Sequence, residues 1–334
     1  MIGRALRRLA LALLAALLLA AAYVVVQFNR RPPVEPYRAL TLPAATVPTT
    51  TGEVRVRFAG VSTLVFDDGE TVWMTDGFFS RPSPLRTLFS RIGPDAAVVD
   101  ASLARLGVTR LAAVVPLHAH YDHAMDAPLV AQRTGALLGG GRSVMQVGQG
   151  AGLPQAQLRA VQAGDTLQIG RYTLRFIASR HSPTPYSSGE GGEHITEPLV
   201  TPARATQWHE GEVWSIVVTH ASGRSFLVQG SAGIVPGALA GVRVETVFLG
   251  TGTLGKKDEA YRSAYWRETV QATGARRVIP IHWDDFTQPM LDTPLVATPY
   301  LVDDLRVVMD DLQQRGRQGG VEIRMAPLFE PFVP

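Results

Sequence analysis

Cysteine is missing altogether from the 334 residues. That excludes disulfides, thiolate metal ligands and a cysteine nucleophile, so any metal site has to be built from His, Asp and Glu. Phosphate-loop signatures are missing too. The glycines at 139–141, 148, 150 and 152 fit neither G-x-G-x-x-G nor G-K-[ST] and read as turns between short elements. Ser231 has no G-x-S-x-G elbow around it, because Gln229 stands where the first glycine belongs. Charged side chains make up only 18% of the chain, and the basic excess sits at one end. Residues 1–38 hold six Arg and one acid, Glu35; taking these from the 32 basic and 29 acidic residues leaves 26 and 28. The sequence pI near 9.4 is therefore no sign of a nucleic-acid partner.

What is present begins with an unbroken apolar run from Leu9 to Val26, preceded by Arg4, Arg7 and Arg8 and followed by Arg30 and Arg31. Its eighteen residues make about 27 Å of helix, close to the hydrocarbon thickness of a bilayer. Cleaved signals have shorter apolar cores, and here the run continues past the small residues Ala20-Ala21-Ala22. The pattern favours an uncleaved signal anchor over residues 1–28, with secretion after cleavage as the alternative. The flanking charge places the amino terminus inside and the rest of the chain on the extracytoplasmic side.

Residues 29–51, with Pro32, Pro33, Pro36, Pro43 and Pro48, read as a semi-extended tether holding a domain of residues 52–334 off the membrane. Within that domain, strands are expected at Val54–Phe58, Ser62–Phe66, Thr71–Thr75, Ala96–Val99, Leu111–Leu117, Tyr172–Ala178, Val213–Thr219, Phe226–Gln229, Val244–Leu249, Arg277–Ile281 and Val321–Arg324. Helices are expected at Ala101–Leu106, Met125–Arg133, Asp258–Thr273 and Leu301–Gln314. Two β-rich halves with helices between them fit a sheet-on-sheet core flanked by helices. The long stretch 182–212, rich in Pro, Gly, Ser and Glu, reads as a lid or a surface loop.

The densest chemistry is His118-Ala-His120-Tyr-Asp122-His123, at the end of the apolar run Leu111–Leu117. Residues i and i+2 of an extended chain face the same way, so His118 and His120 can grip one ion. Asp122 and His123 follow where the chain turns towards a helix and can point at a second ion. Two more histidines occupy strand ends: His181 after Tyr172–Ala178, and His282 in Pro280-Ile-His-Trp-Asp-Asp-Phe286. Neutral imidazoles and carboxylates suit zinc, one ion or two, or another divalent metal. Asp76, in the turn before Gly77, is either a plain turn residue or the partner that fixes the tautomer of a ligating imidazole. His194, His209 and Tyr186 are candidates for the substrate mouth, or solvated loop residues.

The hexapeptide and the later histidines resemble the metallo-β-lactamase-fold hydrolases, whose signature is H-x-H-x-D-H followed by a later His, an Asp and a last His. The resemblance implies an α/β fold, an αββα sandwich, here preceded by a single transmembrane helix. It assigns His118, His120 and His181 to a first metal position and Asp122, His123 and His282 to a second. Phe248-Leu-Gly-Thr-Gly252 and Gly274–Trp283 look most like the branch containing N-acyl-phosphatidylethanolamine-hydrolysing phospholipase D and ascorbate-6-phosphate lactonase. One residue departs from the family: Ser231 stands where it places a bridging Asp, and a hydroxyl offsets the charge of two cations poorly. The implied activity is hydrolysis by metal-activated water of an ester, lactone or phosphodiester, on a small or lipid-derived substrate, with Asp122 orienting the water. Alternatives are β-lactam hydrolysis, a catalytically weakened binding protein of the same fold, and a serine hydrolase around Ser231.

Overall fold

A computed structural model describes residues 2–47, 49–184 and 192–334. Helix α1 (Ile2–Asn29) is long and apolar enough to cross a membrane, and none of its apolar stretch packs inside the protein. The remaining residues form two seven-stranded sheets packed face to face with helices outside.

The first sheet takes β1 (Arg55–Phe58), β2 (Leu64–Asp67) and β3 (Val72–Thr75) from the start of the domain. After helix α2 (Pro84–Phe89), the short β4 (Arg91–Ile92) and α3 (Ala96–Leu106), the chain returns as β5 (Ala113–Val115). Helices α4 (Tyr121–Ala124) and α5 (Ala127–Thr134) lead to β6 (Leu137–Gly140), and α6 (Arg142–Gly150) leads to β7 (Leu158–Ala160). The second sheet holds β8 (Thr166–Ile169) and β9 (Tyr172–Ala178). Past the two-residue β10 (Ala203–Arg204), which pairs with β4, it adds β11 (Trp214–His220), β12 (Ser225–Gln229) and β13 (Thr246–Gly250). Helix α7 (Glu259–Trp266), β14 (Arg277–Ile281), α8 (Leu305–Gly319), β15 (Glu322–Ile323) and β16 (Pro331–Phe332) complete the chain.

Strand order is β16-β1-β2-β3-β5-β6-β7 in one sheet and β15-β14-β13-β12-β11-β9-β8 in the other. Each sheet makes its first three pairings in chain order antiparallel, counting the return of β16 with them, and its other three parallel. Aromatic rings bind the sheets together. Phe66 stacks on Trp73 at 4.5 Å and meets Tyr172, Phe226 and Phe248 of the facing sheet at 6.4, 5.9 and 5.7 Å. All five are fully buried, and rings in such offset and edge-on pairs add to the burial energy.

Several expected boundaries move, each for a local reason. Residues 96–99 are the first turn of α3, not a buried strand. Asp95 caps that turn by accepting from Ala97 and Val98 N–H, and Gly107 closes the helix in the left-handed conformation. The β-branched pair Val98-Val99 imitates a strand, but the caps decide. Asp304 and Gly320 likewise frame α8, four to five residues beyond the expected span. The Pro-rich segment does not stand off from the domain. Tyr37 and Leu42 are buried in the core, Leu42 N–H bonds Met325 O at 2.9 Å, and Arg31 pairs with Asp285 at 2.6 Å.

Candidate metal centre

His118 follows β5, His181 follows β9, His282 follows β14 and Asp76 follows β3, so four strands drawn from both sheets end at one rim. Open α/β folds keep their crevices at such carboxyl ends. Between His118 and His123 the chain makes a single helical turn: the His120 carbonyl accepts from His123 N–H at 3.0 Å and Ala124 N–H at 2.9 Å. That turn brings Asp122 and His123 under the imidazoles of His118 and His120.

Two sets of donors result, His118/His120/His181 and Asp122/His123/His282, with the donor atoms of each set within 4.8 Å of one another. In the first, His118 Nε2 and His120 Nδ1 lie 3.1 Å apart, a spacing natural for two nitrogens each about 2.0–2.1 Å from a shared cation. His181 Nδ1 donates to Ser182 O at 2.8 Å, which leaves Nε2 free to ligate. Burial, with the neighbouring imidazoles, holds His118 well below its ordinary pKa, His120 at about 4 and His181 at about 3. All three are neutral imidazoles at pH 7, the form that binds metal.

In the second set, Asp122 Oδ2 lies 3.3 Å from His282 Nε2 and 3.7 Å from His123 Nε2. Burial alone would raise the Asp122 pKa, but His123, His282 and His120 outweigh it and keep the carboxyl ionised. Asp76 is buried beneath. Its Oδ2 takes His123 Nδ1 at 2.7 Å and its Oδ1 takes Leu117 N–H at 2.9 Å. The imidazole is thereby held with Nε2 turned to the site. Burial works against charge on His123, but Asp76 and Asp122 raise its pKa. His123 Nε2 is buried with no hydrogen-bond partner, an orphan acceptor that a cation would satisfy. Five imidazoles, one ionised carboxylate and that orphan nitrogen fit one or two borderline divalent ions.

His282 sits at φ +58°, a costly conformation for a residue with a Cβ. Its N–H bonds Val61 O at 2.7 Å, and two residues on, Asp284 Oδ1 accepts Val61 N–H at 2.8 Å. Asp284 Oδ2 holds Arg81 at 2.6 Å, both side chains buried. Neither Arg81 nor Asp284 was singled out from the sequence, although Asp284 lies in the quoted Trp-Asp-Asp stretch behind His282.

Ser231 belongs to neither donor set. Its Oγ accepts Ser182 N–H at 2.9 Å, so it fastens the backbone immediately after His181. Gln229 donates to the carbonyls of Ser231 and Gly233, at 3.0 and 2.9 Å, and tightens the same turn. A Cβ on Gly233 would collide with the carbonyl oxygens of Arg180 and His181.

The loop histidines lie apart from both sets. His194 is 3.5 Å from Ser143 Oγ and 3.8 Å from Glu212, lining a cavity of about 740 Å³ with Arg142 and Trp214. His209 pairs with Glu193 at 3.1 Å, near enough to help depress His120. Tyr186 lies outside the described residues. The loop also braces the first donor pair, for Glu210 O accepts Ala119 N–H at 2.9 Å, between the two leading histidines.

The chain is similar to a UPF0173 metal-dependent hydrolase of Chloroflexus aurantiacus, 31% identical over 80 residues, which is 24% of this chain and 33% of that protein. A second of the same description, from Myxococcus xanthus, is 33% identical over 72 residues, 22% of this chain and 25% of that one. The chain thus matches a third or less of these relatives' length. Among solved structures, the fold is similar to Igni18, a metallo hydrolase from Ignicoccus hospitalis, with a TM-score of 0.51 and 14% identity over 84% of this chain and 98% of that one. A possible metal-dependent hydrolase from Veillonella parvula gives 0.50 and 12% over 84% and 99%. The family model described as "Beta-lactamase superfamily domain" matches residues 86–283, more than half of the chain and a span enclosing all six donors. By that match, and with two sheets that bring the donors to one rim, the chain belongs to the β-lactamase superfamily and has the metallo-β-lactamase fold.

Proposed function

We propose that the protein is a membrane-anchored, metal-dependent hydrolase acting on an ester, lactone or phosphodiester. The observation that carries this reading is the pair of donor sets, the second buried and the first partly so, each drawing residues from both sheets. The description of the relatives as metal-dependent hydrolases supports the reaction class. The bilayer-length α1 supports the anchor, and the arginines at positions 4, 7 and 8 ahead of it are the reason for placing the domain on the extracytoplasmic side. The likeness of residues 248–252 and 274–283 to the phospholipase D and lactonase branch supports the choice of bond.

A divalent cation held by these donors, zinc by donor type, would supply Lewis acidity, making water nucleophilic near neutral pH and polarising the scissile oxygen. The chain's own residues set the geometry. Asp122, ionised between His123 and His282, accepts the hydrogen bond of the attacking water and orients it. Asp76 keeps His123 in one tautomer. Tyr121 and Phe286, whose rings lie 6.1 Å apart, form an apolar wall beside His282.

Metal analysis of the purified full-length protein, with hydrolysis of a phosphodiester, a lactone and a cephalosporin, tests the proposal. Turnover is expected with one of the first two and is lost with chelator, His118→Ala or Asp122→Asn. Turnover indifferent to chelator would sink it. Ser231 favours a second reading, a binding protein of weakened catalysis, which predicts metal uptake without turnover of any of the three.

A further inference from the structure

Helix α2 buries none of its side chains, yet three of its six residues are large and apolar. Leu85, Leu88 and Phe89 are 70%, 71% and 77% exposed, and outside α1 no other described large apolar side chain is more so. Val200, 69% exposed, lies three residues before β10, which pairs with β4. A helix this short has no stability of its own in water, and a contiguous exposed apolar face marks a contact surface. Along residues 77–94 the charge has one sign. Residues 77–94 contain Arg81, Arg86 and Arg91 and no acid; Arg81 is taken by Asp284, and the other two are exposed.

Position identifies what covers this face. The end of α1 is fastened to the domain: the carbonyls of Gln27 and Arg30 accept Leu301 and Tyr300 N–H at 3.3 and 3.0 Å, and Arg31 grips Asp285. The Asp285 carbonyl accepts Arg81 Nη1 at 3.2 Å, a few residues ahead of α2. Leu301 and Val302, about two-fifths exposed, belong to the same neighbourhood. The foot of a bilayer-length helix and the segment leading into an apolar helix flanked by arginines are therefore both tied to Asp285.

We propose that α2 rests in the interfacial layer of the bilayer that α1 crosses, an inference that depends on the membrane-anchor reading above. Apolar side chains among exposed arginines are the composition of an interfacial element on anionic lipid. The placement also names a substrate class. The Tyr121 phenol reaches Thr87 of α2, and its ring meets Phe286, itself 5.9 Å from His282. An amphiphile with its apolar chain left in lipid beside α2 would present its polar scissile group from the His282 side.

The cysteine-free chain allows a direct test. Full-length Leu17→Cys, Leu88→Cys, Phe89→Cys and Thr109→Cys variants each carry one environment-sensitive fluorophore and are reconstituted in phosphatidylcholine–phosphatidylglycerol vesicles. Labels at 17, 88 and 89 are expected to shift to the blue and to be quenched by a nitroxide on the lipid chains. The label at Thr109, before β5 at the opposite rim, stays water-like. Labels at 88 and 89 matching that at 109 would overturn the inference while quenching at 17 left the anchor standing. Blue-shifted labels that lipid does not quench would mean a protein surface covers α2, and overturn it equally. Without quenching at 17 the anchor fails and this inference with it.

Discussion

Arg81 and Asp284 form an ion pair of 2.6 Å, both side chains buried, whose carboxylate also holds the N–H of Val61, the residue that receives the N–H of His282. The pair bears on the last metal donor without touching it. Arg81→Met leaves a buried carboxylate uncompensated, a loss on the order of 3–5 kcal/mol. Thermal melting should show that loss. The double variant Arg81→Met/Asp284→Asn should recover part of it, because no unpaired charge remains.

Asp76→Asn removes the charge that fixes His123 and leaves the fold's apolar contacts in place. Partners of this kind are worth about 10–100-fold in metal affinity. Competition with a chelating dye should report that loss at the Asp122/His123/His282 set.

Ser231→Asp puts a carboxylate at the strand end where the resemblance to the metallo-β-lactamase-fold hydrolases implies one. The unmodified protein is expected to hold one ion firmly and a second weakly or not at all, and the variant to hold two. Metal counts by mass spectrometry after gel filtration decide the matter; two tightly held ions in the unmodified protein would refute it.

Gly233→Ala pushes a methyl group into the carbonyls of Arg180 and His181. Overpacking of this kind costs typically 1–3 kcal/mol, and here the strain falls on the backbone carrying His181. Metal affinity of the His118/His120/His181 set should fall, while Gly319→Ala, where a Cβ meets only Val321 at 3.7 Å, serves as the control for glycine loss.

Asp126 provides the pH dependence. It is buried and takes the N–H groups of Phe79 and Ser80 and the Ser80 hydroxyl, each at 2.7 Å. Burial nevertheless raises its pKa to about 6. Between the unfolded value near 3.9 and that folded value, the native state binds the extra proton, so stability falls as pH rises through this window. At 1.36 kcal/mol per unit the fall is about 3 kcal/mol. Asp126→Asn lacks the titration. Melts at pH 4 and pH 8 should show the variant gaining on the parent as pH rises, and a constant difference would exclude this account.

The sequence disclosed the donors more completely than the fold around them. Histidines at strand ends carry a signal of their own, and His118, His120, His181 and His282 meet at the rim where the strand reading puts them. Asp76 was legible only as one of two alternatives, because a turn Asp before a glycine looks the same whether or not an imidazole lies beneath it. Arg81 and Asp284 were invisible, since a buried pair 203 residues apart leaves no local pattern. Helix α2 carries a start signal of its own, with Ser83 at the cap and Pro84 in the first turn. The docking of Pro-rich residues onto the core could not be seen, because Tyr37 and Leu42 stand alone among prolines and alanines without period.

Each donor set takes two residues from the end of β5 in one sheet and one from the other. Neither half of the sandwich can assemble a complete set alone, so a bound ion would act as a rivet between the layers. Such an ion binds the native state and not the unfolded chain, and it draws its affinity from the same contacts that close the sandwich. Chelation would then loosen the seam between the sheets as well as silence the rim, and heat would find the stripped protein easier to open.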